Sequence, residues 1–334
     1  MNNQLKLHLV KEVCINNGDN ITIFGQLEKN EFVIKHVTIK TENKFFTCNP
    51  CYYKPNKLRE MHVSDFYLNF KCTKNDIFEK PLEISIYFQD ESETIRTEQF
   101  FEFPFDDIRE KLPGTNNNVI TTMCVNYNNR LDEWIQYNLK LGFDAIIIFD
   151  NGSRDTDEKC NLITDKYDNV FSVKFPYGPA AAFWNNIQRI SLSLGCNGLK
   201  SFCKYITLID GDEFIYIPNG EMNIRKFLDN YDETLQMQSY LFTNISNDKK
   251  NKLENNYLDQ CRFADYENKK YEKLFLRASD ISENEFIYSP HKYTNQIRLE
   301  PDLILHYHCW ANERHKYNSS MKKINFLYDF LHDK

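Results

Sequence analysis

The chain has 334 residues, of which 41% are hydrophobic and 27% are charged, a balance typical of soluble globular proteins and not of disordered ones. Its formal net charge of −7 argues against a nucleic-acid-binding protein, because such proteins usually carry a basic face. The sequence has no apolar run long enough to cross a bilayer and no N-terminal apolar segment of signal-peptide length. We therefore expect a cytoplasmic protein without a transmembrane segment.

The first third of the chain is rich in predicted β-strands. Four segments alternate apolar and polar residues, and turn-forming clusters separate them. These segments are residues 20–27, 32–40, 66–72 and 82–88. Because no helical periodicity competes, residues 1–115 are predicted to form a β-rich, β-sandwich-like domain. Pro, Gly and a run of Asn within residues 111–118 predict a boundary, after which residues 116–334 form a second domain.

The spacing of the ten cysteines does not match a recognisable disulfide framework. Only Cys48 and Cys51 make a C-x-x-C pair, and no second pair follows at the spacing of a zinc ribbon. Free buried thiols in a reducing compartment are therefore the expectation, with a zinc site at this pair as the alternative.

After the boundary, predicted strands and helices alternate. The strands are residues 119–125, 144–150, 169–175 and 204–210. A helix with one apolar face covers residues 130–142 and ends at Gly142, a second begins near Ser153 or Asp155, and a third covers 180–195 and is closed by Gly195. This alternation predicts a doubly wound α/β unit, in which ligands bind beyond the carboxyl ends of the strands.

Polar residues follow three of these four strands. Asn126 and Tyr127 follow the first, and Asp150, Asn151, Ser153 and Asp155 follow the second, where they would also suit an ordinary turn and helix cap. The fourth strand ends in Asp210-Gly211-Asp212-Glu213. The sequence contains no Gly-rich phosphate-binding loop, so a bound nucleotide would be held by side chains and a metal.

The acids after the fourth strand are the strongest sign of a site. Asp210 and Asp212 are two residues apart, so in an extended chain both point to the same side, about 6–7 Å apart. A divalent cation such as Mg²⁺ or Mn²⁺ would relieve their repulsion, and Gly211 would leave room for a ligand. The alternative is a turn of solvated acids.

Histidines near the C-terminus offer further metal ligands. His306 and His308 are two apart on a predicted strand, and an imidazole ligand would favour Mn²⁺ over Mg²⁺. A structural role for either histidine is the alternative. His291 and His315 are weaker candidates.

Taken together, the three strand ends resemble those of the GT-A glycosyltransferases, in particular the family-2-like group related to glycosyltransferase family 92 (DUF23-like). The matching segments are residues 129–142, 150–155 and 210–214. Residues 272–279 and 304–310 also look like segments of that family, so the resemblance spans about residues 119–315. Arg130 departs from the pattern, since the family usually has Glu at this position.

The resemblance implies a GT-A (Rossmann-like) domain that binds a nucleotide sugar. Asp150 would bind the base, with Asn126, Tyr127, Asn151 and Ser153 beside it. Asp210 and Gly211 would lie at the ribose or metal, and Asp212 would ligate the metal that bridges the diphosphate. Further diphosphate or metal contacts would come from Arg130, Lys273, Arg277, His306 and His308.

Related families invert the anomeric centre, which implies a carboxylate that deprotonates the acceptor hydroxyl. Glu213 beside the metal site is one candidate base. Asp265 is the other, from a polar stretch that also contains Asp248, Glu254 and Asp259.

The leading hypothesis is therefore a metal-dependent, inverting glycosyltransferase that moves a sugar from a nucleoside-diphosphate sugar, expected to be a UDP-sugar, to a glycan acceptor. A glycoside hydrolase is a second possibility, because two acids several ångströms apart can cleave a glycosidic bond. A non-catalytic carbohydrate-binding protein on a transferase-like fold is the third.

Overall fold

The computed structural model describes most of the chain after residue 104 and, before it, mainly the strands. The described residues are 8–16, 20–28, 34–40, 45–48, 52–58, 61–71, 82–88, 92–97, 100–102, 105–125, 128–152, 160–175, 184–243, 258, 263–265, 272–282, 285–301, 304–309 and 321–333. None of the helices in these ranges is both long and apolar enough to cross a bilayer.

The N-terminal part is β-rich, as predicted. The strands among its described residues are β1 His8–Asn16, β2 Asn20–Glu28, β3 His36–Lys40, β4 Phe45–Cys48, β5 Tyr52–Leu58, β6 Met61–Lys71, β7 Leu82–Tyr87, β8 Ser92–Thr97 and β9 Phe100–Glu102. They form one sheet of order β5-β6-β2-β1-β9 and another of order β4-β3-β7-β8. Alternate residues of β3 and β7, such as Val37 and Ile84, are buried, which explains the period-two pattern. Face-to-face sandwich packing and the boundary at residue 115 remain predictions.

The rest of the chain contains helices and strands in alternation. The helices are α1 Phe105–Lys111, α2 Asn128–Leu141, α3 Cys160–Thr164, α4 Trp184–Leu199, α5 Ile224–Leu228, a 3₁₀ turn at Ala278–Asp280, and α6 Phe326–Leu331. The strands are β10 Asn117–Cys124, β11 Ala145–Asp150, β12 Val170–Lys174, β13 Cys203–Leu208, β14 Glu213–Tyr216, β15 Leu235–Thr243, β16 Phe263–Asp265, β17 Lys273–Arg277, β18 Ile297–Arg298, β19 Leu305–Cys309 and β20 Met321–Lys323. Helix α1 lies in a stretch for which the sequence predicted strands alone.

Four parallel strands in the order β12-β11-β10-β13 form the start of the large sheet, which confirms the predicted α/β class. The chain runs outward from β10 through β11 to β12 and then returns to place β13 on the other side of β10. This reversal is a topological switch point, the place where open α/β sheets bind ligands. The specific assignment to the GT-A fold remains a prediction.

Beyond β13 the sheet continues with strands that the alternation did not predict. β17 pairs with β13 in antiparallel fashion, and β15 pairs with β17. The long strand β15 then pairs with β16, β18 and β19, and β19 pairs with β14. The antiparallel β17 is important for the site, because it brings Lys273 beside the end of β13.

The continuous apolar strands are buried on both faces of the sheet, as predicted. In β11, Ile146 and Ile148 pack into the core that contains Trp134 of α2, whereas Ile147 and Phe149 pack into the opposite core with α4. A strand covered on both sides needs apolar residues at successive positions, so it does not alternate.

Gly195 does not close a helix, which corrects the prediction. Helix α4 continues to Leu199, and Gly195 lies inside it against β10. A Cβ at this position would lie 2.2 Å from Oγ1 of Thr121 and 3.0 Å from its Cβ. The glycine therefore allows the helix to approach the sheet closely. By contrast, Gly142 does end α2, with a positive φ of 105° that favours glycine.

Gly195→Ala is expected to lower the free energy of unfolding by about 1–3 kcal/mol, since overpacking outweighs the better helix propensity of alanine. Urea unfolding measures the effect. Adding Thr121→Ala should restore part of the loss, because it removes two of the three clashing atoms. A single variant as stable as the wild type would contradict close packing of α4 on β10.

Candidate functional site

The acids that follow β13, residues 210–213, form a tight turn that we call the acid tip. The amide N–H of Glu213 donates to the carbonyl of Asp210 over 3.1 Å, and the next strand, β14, begins at Glu213. The side chain of Glu213 turns back and accepts a hydrogen bond of 2.7 Å from the amide of Asp210. The acid tip is therefore an ordered structure and not a loose solvated turn.

A buried lysine neutralises part of the acid tip. Nζ of Lys273 lies 2.7 Å from Oδ2 of Asp210 and 3.1 Å from Oε2 of Glu213. The side chains of Lys273 and Glu213 are 1% and 0% exposed, and that of Asp210 is 25% exposed. Gln188 of α4 donates from Nε2 to the other oxygen of Asp210. Lys273 therefore holds carboxylates in place, and it is too buried to be the diphosphate contact that the sequence predicted.

Burial and charge shift the titration of these groups in opposite directions. Burial lowers the pKa of Lys273, but the carboxylates of Asp210 and Glu213 outweigh it and raise the pKa above its ordinary value. Burial raises the pKa of Asp210, which the ammonium of Lys273 opposes and the charge of Glu213 reinforces. One ammonium faces two carboxylates, so the cluster favours further positive charge.

Asp212 is the least compensated acid of the tip. Its side chain is partly exposed, and no residue in the described part of the chain donates a hydrogen bond to its carboxylate. Its pKa is raised well above 3.8, first by burial and then by the charges of Asp210 and Glu213, while Lys273 and Arg130 act in the opposite direction. A cation bound here would remove this repulsion.

His291 also lies close to the cluster. Its Nδ1 is 2.5 Å from the carbonyl oxygen of Glu272, and its own carbonyl accepts a hydrogen bond from Gln236. Burial and the ammonium of Lys273 lower its pKa, so the imidazole is neutral at pH 7. From its place in the sequence, His291 was only a weaker candidate metal ligand.

Helix α2 fixes the strand that follows the acid tip. Trp134 donates from Nε1 to the carbonyl of Glu213 over 2.8 Å, and the Tyr137 hydroxyl donates to the carbonyl of Ile215 over 2.7 Å. Trp134 lies on the apolar face of the predicted helix and is fully buried, but the helical pattern does not reveal this hydrogen bond. The same helix carries Arg130 close enough to affect Asp212.

The second strand end lies two strands from the acid tip. Asp150 is opposite Cys124 of β10, and the amide of Asn151 donates to the Cys124 carbonyl over 2.8 Å. β10 also pairs with β13, up to Thr121 opposite Leu208, and the turn of the acid tip begins two residues later. The ends of β11 and β13 are therefore separated by β10, which is two strand spacings or about 10 Å across the sheet.

Several predicted site residues lie outside the described residues. They are Asn126, Tyr127, Ser153 and Asp155, together with Asp248, Glu254, Asp259, His315 and Cys51.

The structure does not bring Arg277 to this edge of the sheet. Arg277 lies opposite Tyr205, four residues along β17 from Lys273, and its guanidinium contacts the carbonyl and carboxylate of Asp232. Residues at the two ends of a five-residue strand are about 13 Å apart along it, so Arg277 lies away from Lys273 and the acid tip. A diphosphate contact from Arg277 stays a prediction that this geometry does not favour.

The backbones of His308 and Asp265 lie at increasing distances from the acid tip. His308 of β19 is directly opposite Glu213, and His306 is opposite Ile215. In the same register, Leu241 of β15 separates His308 from Asp265 of β16. Asp265 is therefore three strand spacings, about 14 Å, from Glu213. The described residues contain no cluster of three or more His, Cys, Asp or Glu side chains suited to a metal.

Comparison with known proteins relates part of this chain to one family. Residues 183–328 match the sequence model of glycosyltransferase family 92, a segment that includes α4, the acid tip and Lys273. Two alignments with a glycosyltransferase family 92 protein from Ricinus communis are 28% identical over 101 residues and 30% identical over 121 residues. They cover 30% and 34% of this chain and 17% and 20% of the relative.

A glycosyltransferase family 92 protein from Oryza sativa subsp. japonica is 28% identical over 113 residues, 34% of this chain and 18% of that protein. The resemblance to family 92 is thus confirmed, although the chain spans only about a fifth of the length of these relatives. A solved amylomaltase from Corynebacterium glutamicum is 10% identical with a TM-score of 0.18, covering 41% of this chain and 20% of that one, which is too low to support an inference.

Proposed function

Because residues 183–328 match glycosyltransferase family 92, we propose that this protein is a metal-dependent glycosyltransferase. Its donor is a nucleoside-diphosphate sugar, a UDP-sugar in the form we propose, and its acceptor is a hydroxyl of a glycan. The observation that carries the proposal is the position of the acid tip. It follows β13 at the topological switch point, the usual ligand-binding place of such a sheet.

The donor fits between the two strand ends. Asp150 would contact the nucleoside, and the fully buried Asn151, whose amide donates to the Cys124 carbonyl, would hold this strand end in place. The acid tip, about 10 Å away across the sheet, would face the diphosphate. A nucleoside spans a distance of this order, so two separate contact points are needed. Arg130, at the start of α2 and close to Asp212, is the cation we propose for a phosphate oxygen.

The residues at the acid tip suit a hard divalent cation. Asp212 offers a partly exposed carboxylate whose neighbours are negatively charged, and Asp210 contributes a second carboxylate that Lys273 and Gln188 hold in position. Mg²⁺ and Mn²⁺ bind through one or two carboxylates and complete their coordination with water and phosphate oxygens. When bound, such an ion would neutralise the charge of the departing nucleoside diphosphate.

The remaining residues of the site position the carboxylates of the acid tip and balance their charge. Lys273 opposes the rise in the pKa of Asp210 and fixes its carboxylate, which preorganises the acid tip for a cation. Glu213 is fully buried and already binds the Asp210 amide and Lys273, so we assign it a bracing role in place of a general base. Asp265 stays a candidate base on the acceptor side.

Glycoside hydrolysis receives less support. A hydrolase needs one carboxyl that donates a proton and another that attacks or activates water. Two of the three acids in the tip are held in ion pairs by a buried lysine, which leaves Asp212 as the one acid of the tip without such an ion pair.

A binding screen tests the proposal. Isothermal calorimetry with UDP-, GDP- and TDP-sugars, each with Mn²⁺, with Mg²⁺ and with EDTA, should detect one nucleotide that binds only with metal. Release of the nucleoside diphosphate in the presence of an acceptor should require the same nucleotide sugar and the same metal. Equal binding with EDTA would contradict the metal role, and binding to none of the nucleotides would contradict the transferase.

A further inference from the structure

Two buried cysteines lie in contact beside the proposed donor site. Sγ of Cys124 and Sγ of Cys160 are 3.9 Å apart, and the two residues are 1% and 2% exposed. Both are free thiols, as are Cys196 and Cys203, which are also buried. Neither thiol has a role in the proposed transfer reaction.

The position of this pair connects the two strand ends of the site. Cys124 is the last residue of β10 and lies opposite Asp150 of β11. On its other side β10 pairs with β13, the strand that leads to the acid tip. Its carbonyl holds the amide of Asn151. Cys160 is the first residue of α3, the helix that follows the second strand end. A bond between the two sulfurs would join the end of β10 to the start of α3.

We propose that Cys124 and Cys160 are a modification site, at which a peroxide oxidant forms a reversible disulfide. Hydrogen peroxide first oxidises one thiol to a sulfenic acid and releases one water. The second thiol then attacks that sulfur, the S–O bond breaks, the S–S bond forms, and a second water leaves. Two thiols lose two electrons and two protons in total, and one peroxide is reduced to two waters.

The geometry requires only a short movement. A disulfide has sulfurs about 2 Å apart, so the two atoms must approach by a further 2 Å or slightly less. Because the two sulfurs are already in contact, the second thiol can attack the sulfenic acid without a large conformational change. The hydrogen bond with Cys160, burial and the charge of Asp150 raise the pKa of the Cys124 thiol. Thiolates are the reactive form, so oxidation is expected to be slow, as suits a response to sustained oxidant.

Peptide mapping tests the site without reference to any enzymatic activity. Trypsin places Cys124 alone in residues 112–130 and Cys160 alone in residues 160–166. After peroxide treatment of the full-length folded protein, alkylation in denaturant and digestion, mass spectrometry should find these two peptides linked, with a loss of about 2 Da for the two hydrogens. Dithiothreitol should separate them.

Matched variants control the assignment. Cys160→Ala should abolish the linked pair, whereas Cys203→Ala, which also removes a buried thiol, should leave it intact. Recovery of both thiols in the wild type under peroxide that oxidises other cysteines would overturn the proposal. Linkage of either cysteine to a different partner would also overturn it. Both of these contradicting results are measured on the wild-type protein, so neither requires a variant that folds.

The consequence for ligand binding rests on the proposed function. Pulling Cys124 toward α3 should disturb its hydrogen bond to Asn151, so oxidation should weaken UDP-sugar binding by about 10-fold and reduction should restore it. Cys160→Ala should bind equally before and after peroxide. A linked pair with unchanged affinity would contradict this consequence and leave the site itself supported, whereas absence of UDP-sugar binding in the reduced protein would contradict the transferase alone.

Discussion

Asp212→Asn will abolish metal-dependent binding of the nucleotide sugar and will raise the melting temperature. The amide keeps the size of the side chain and removes its charge. Binding should weaken by at least about 100-fold, because a metal ligand is lost. The melting temperature should rise by roughly 2 °C, the shift that about 1 kcal/mol produces in a chain of this size, because one of three crowded carboxylates is gone.

The stabilising effect has a predictable pH dependence. The pKa of Asp212 is raised in the folded protein, so its unfavourable contribution is present at neutral pH and disappears as the pH falls below its ordinary value of 3.8, where the carboxyl is protonated in both states. The melting-temperature difference between variant and wild type should therefore be largest near pH 7–8 and close to zero at acid pH.

Asp168→Asn is a suitable control, because Asp168 is exposed in the turn before β12. It should change neither binding nor melting temperature. If Asp212→Asn bound the donor and metal like the wild type, the acid tip would not be a metal site. If it lowered the melting temperature, Asp212 would have a structural partner and the account of charge repulsion would be wrong.

Lys273→Met will destabilise the protein by about 3–5 kcal/mol, the usual cost of removing one partner of a buried ion pair. Methionine fills a similar volume, so the loss reports charge and not a cavity. Asp210 and Glu213 would then be buried close together without a cation, and their pKa values would rise. Urea unfolding at pH 7 measures the loss, and donor binding should fall with it.

Protonating Asp210 and Glu213, or removing the charge of Glu213 by substitution, should each restore part of the stability that Lys273→Met loses. Because the folded-state pKa values of the two acids rise in Lys273→Met, its loss of stability is present at high pH and shrinks as the pH falls through them. Adding Glu213→Gln should recover part of the stability at pH 7. An equal defect at all pH values would instead indicate a packing role for Lys273.

Lys204→Met is the matched surface control. Lys204 lies 3.7 Å from Asp229 and 4.0 Å from Asp232, but both acids are at least half exposed. Ion pairs of this kind contribute less than about 1 kcal/mol, so this variant should be nearly as stable as the wild type. A loss as large as that of Lys273→Met would show that burial is not what makes the acid-tip pair important.

Local patterns predicted the parallel half of the fold correctly. The apolar segment 144–150 became a strand covered on both faces, and the apolar face of α2 and its end at Gly142 also appear in the structure. Gly195 misled the prediction, because a glycine inside a helix and a glycine that ends one look alike in sequence. Only the contact with Thr121 distinguishes them.

Local patterns predicted little of the antiparallel half, apart from the strand that carries His306 and His308. Short strands such as β14 and β16 have three or four residues, too few for a reliable period, and they are held by partners far along the chain. The position of Arg277 relative to the acid tip was hard to predict for a related reason. The sequence put it near Lys273, but an extended strand carries residues four apart to opposite ends.

Local sequence patterns are enough to predict that a buried strand ends in three acids at the carboxyl edge of an α/β sheet, because burial, strand period and charge are all local properties. The role of each acid depends instead on contacts between residues far apart in the chain. Lys273 is 63 residues from Asp210, and the antiparallel pairing of β13 with β17 brings its ammonium between Asp210 and Glu213. That ion pair makes Glu213 a brace and holds Asp210 in position. It leaves Asp212, whose raised pKa Lys273 offsets only in part, as the least compensated acid of the tip.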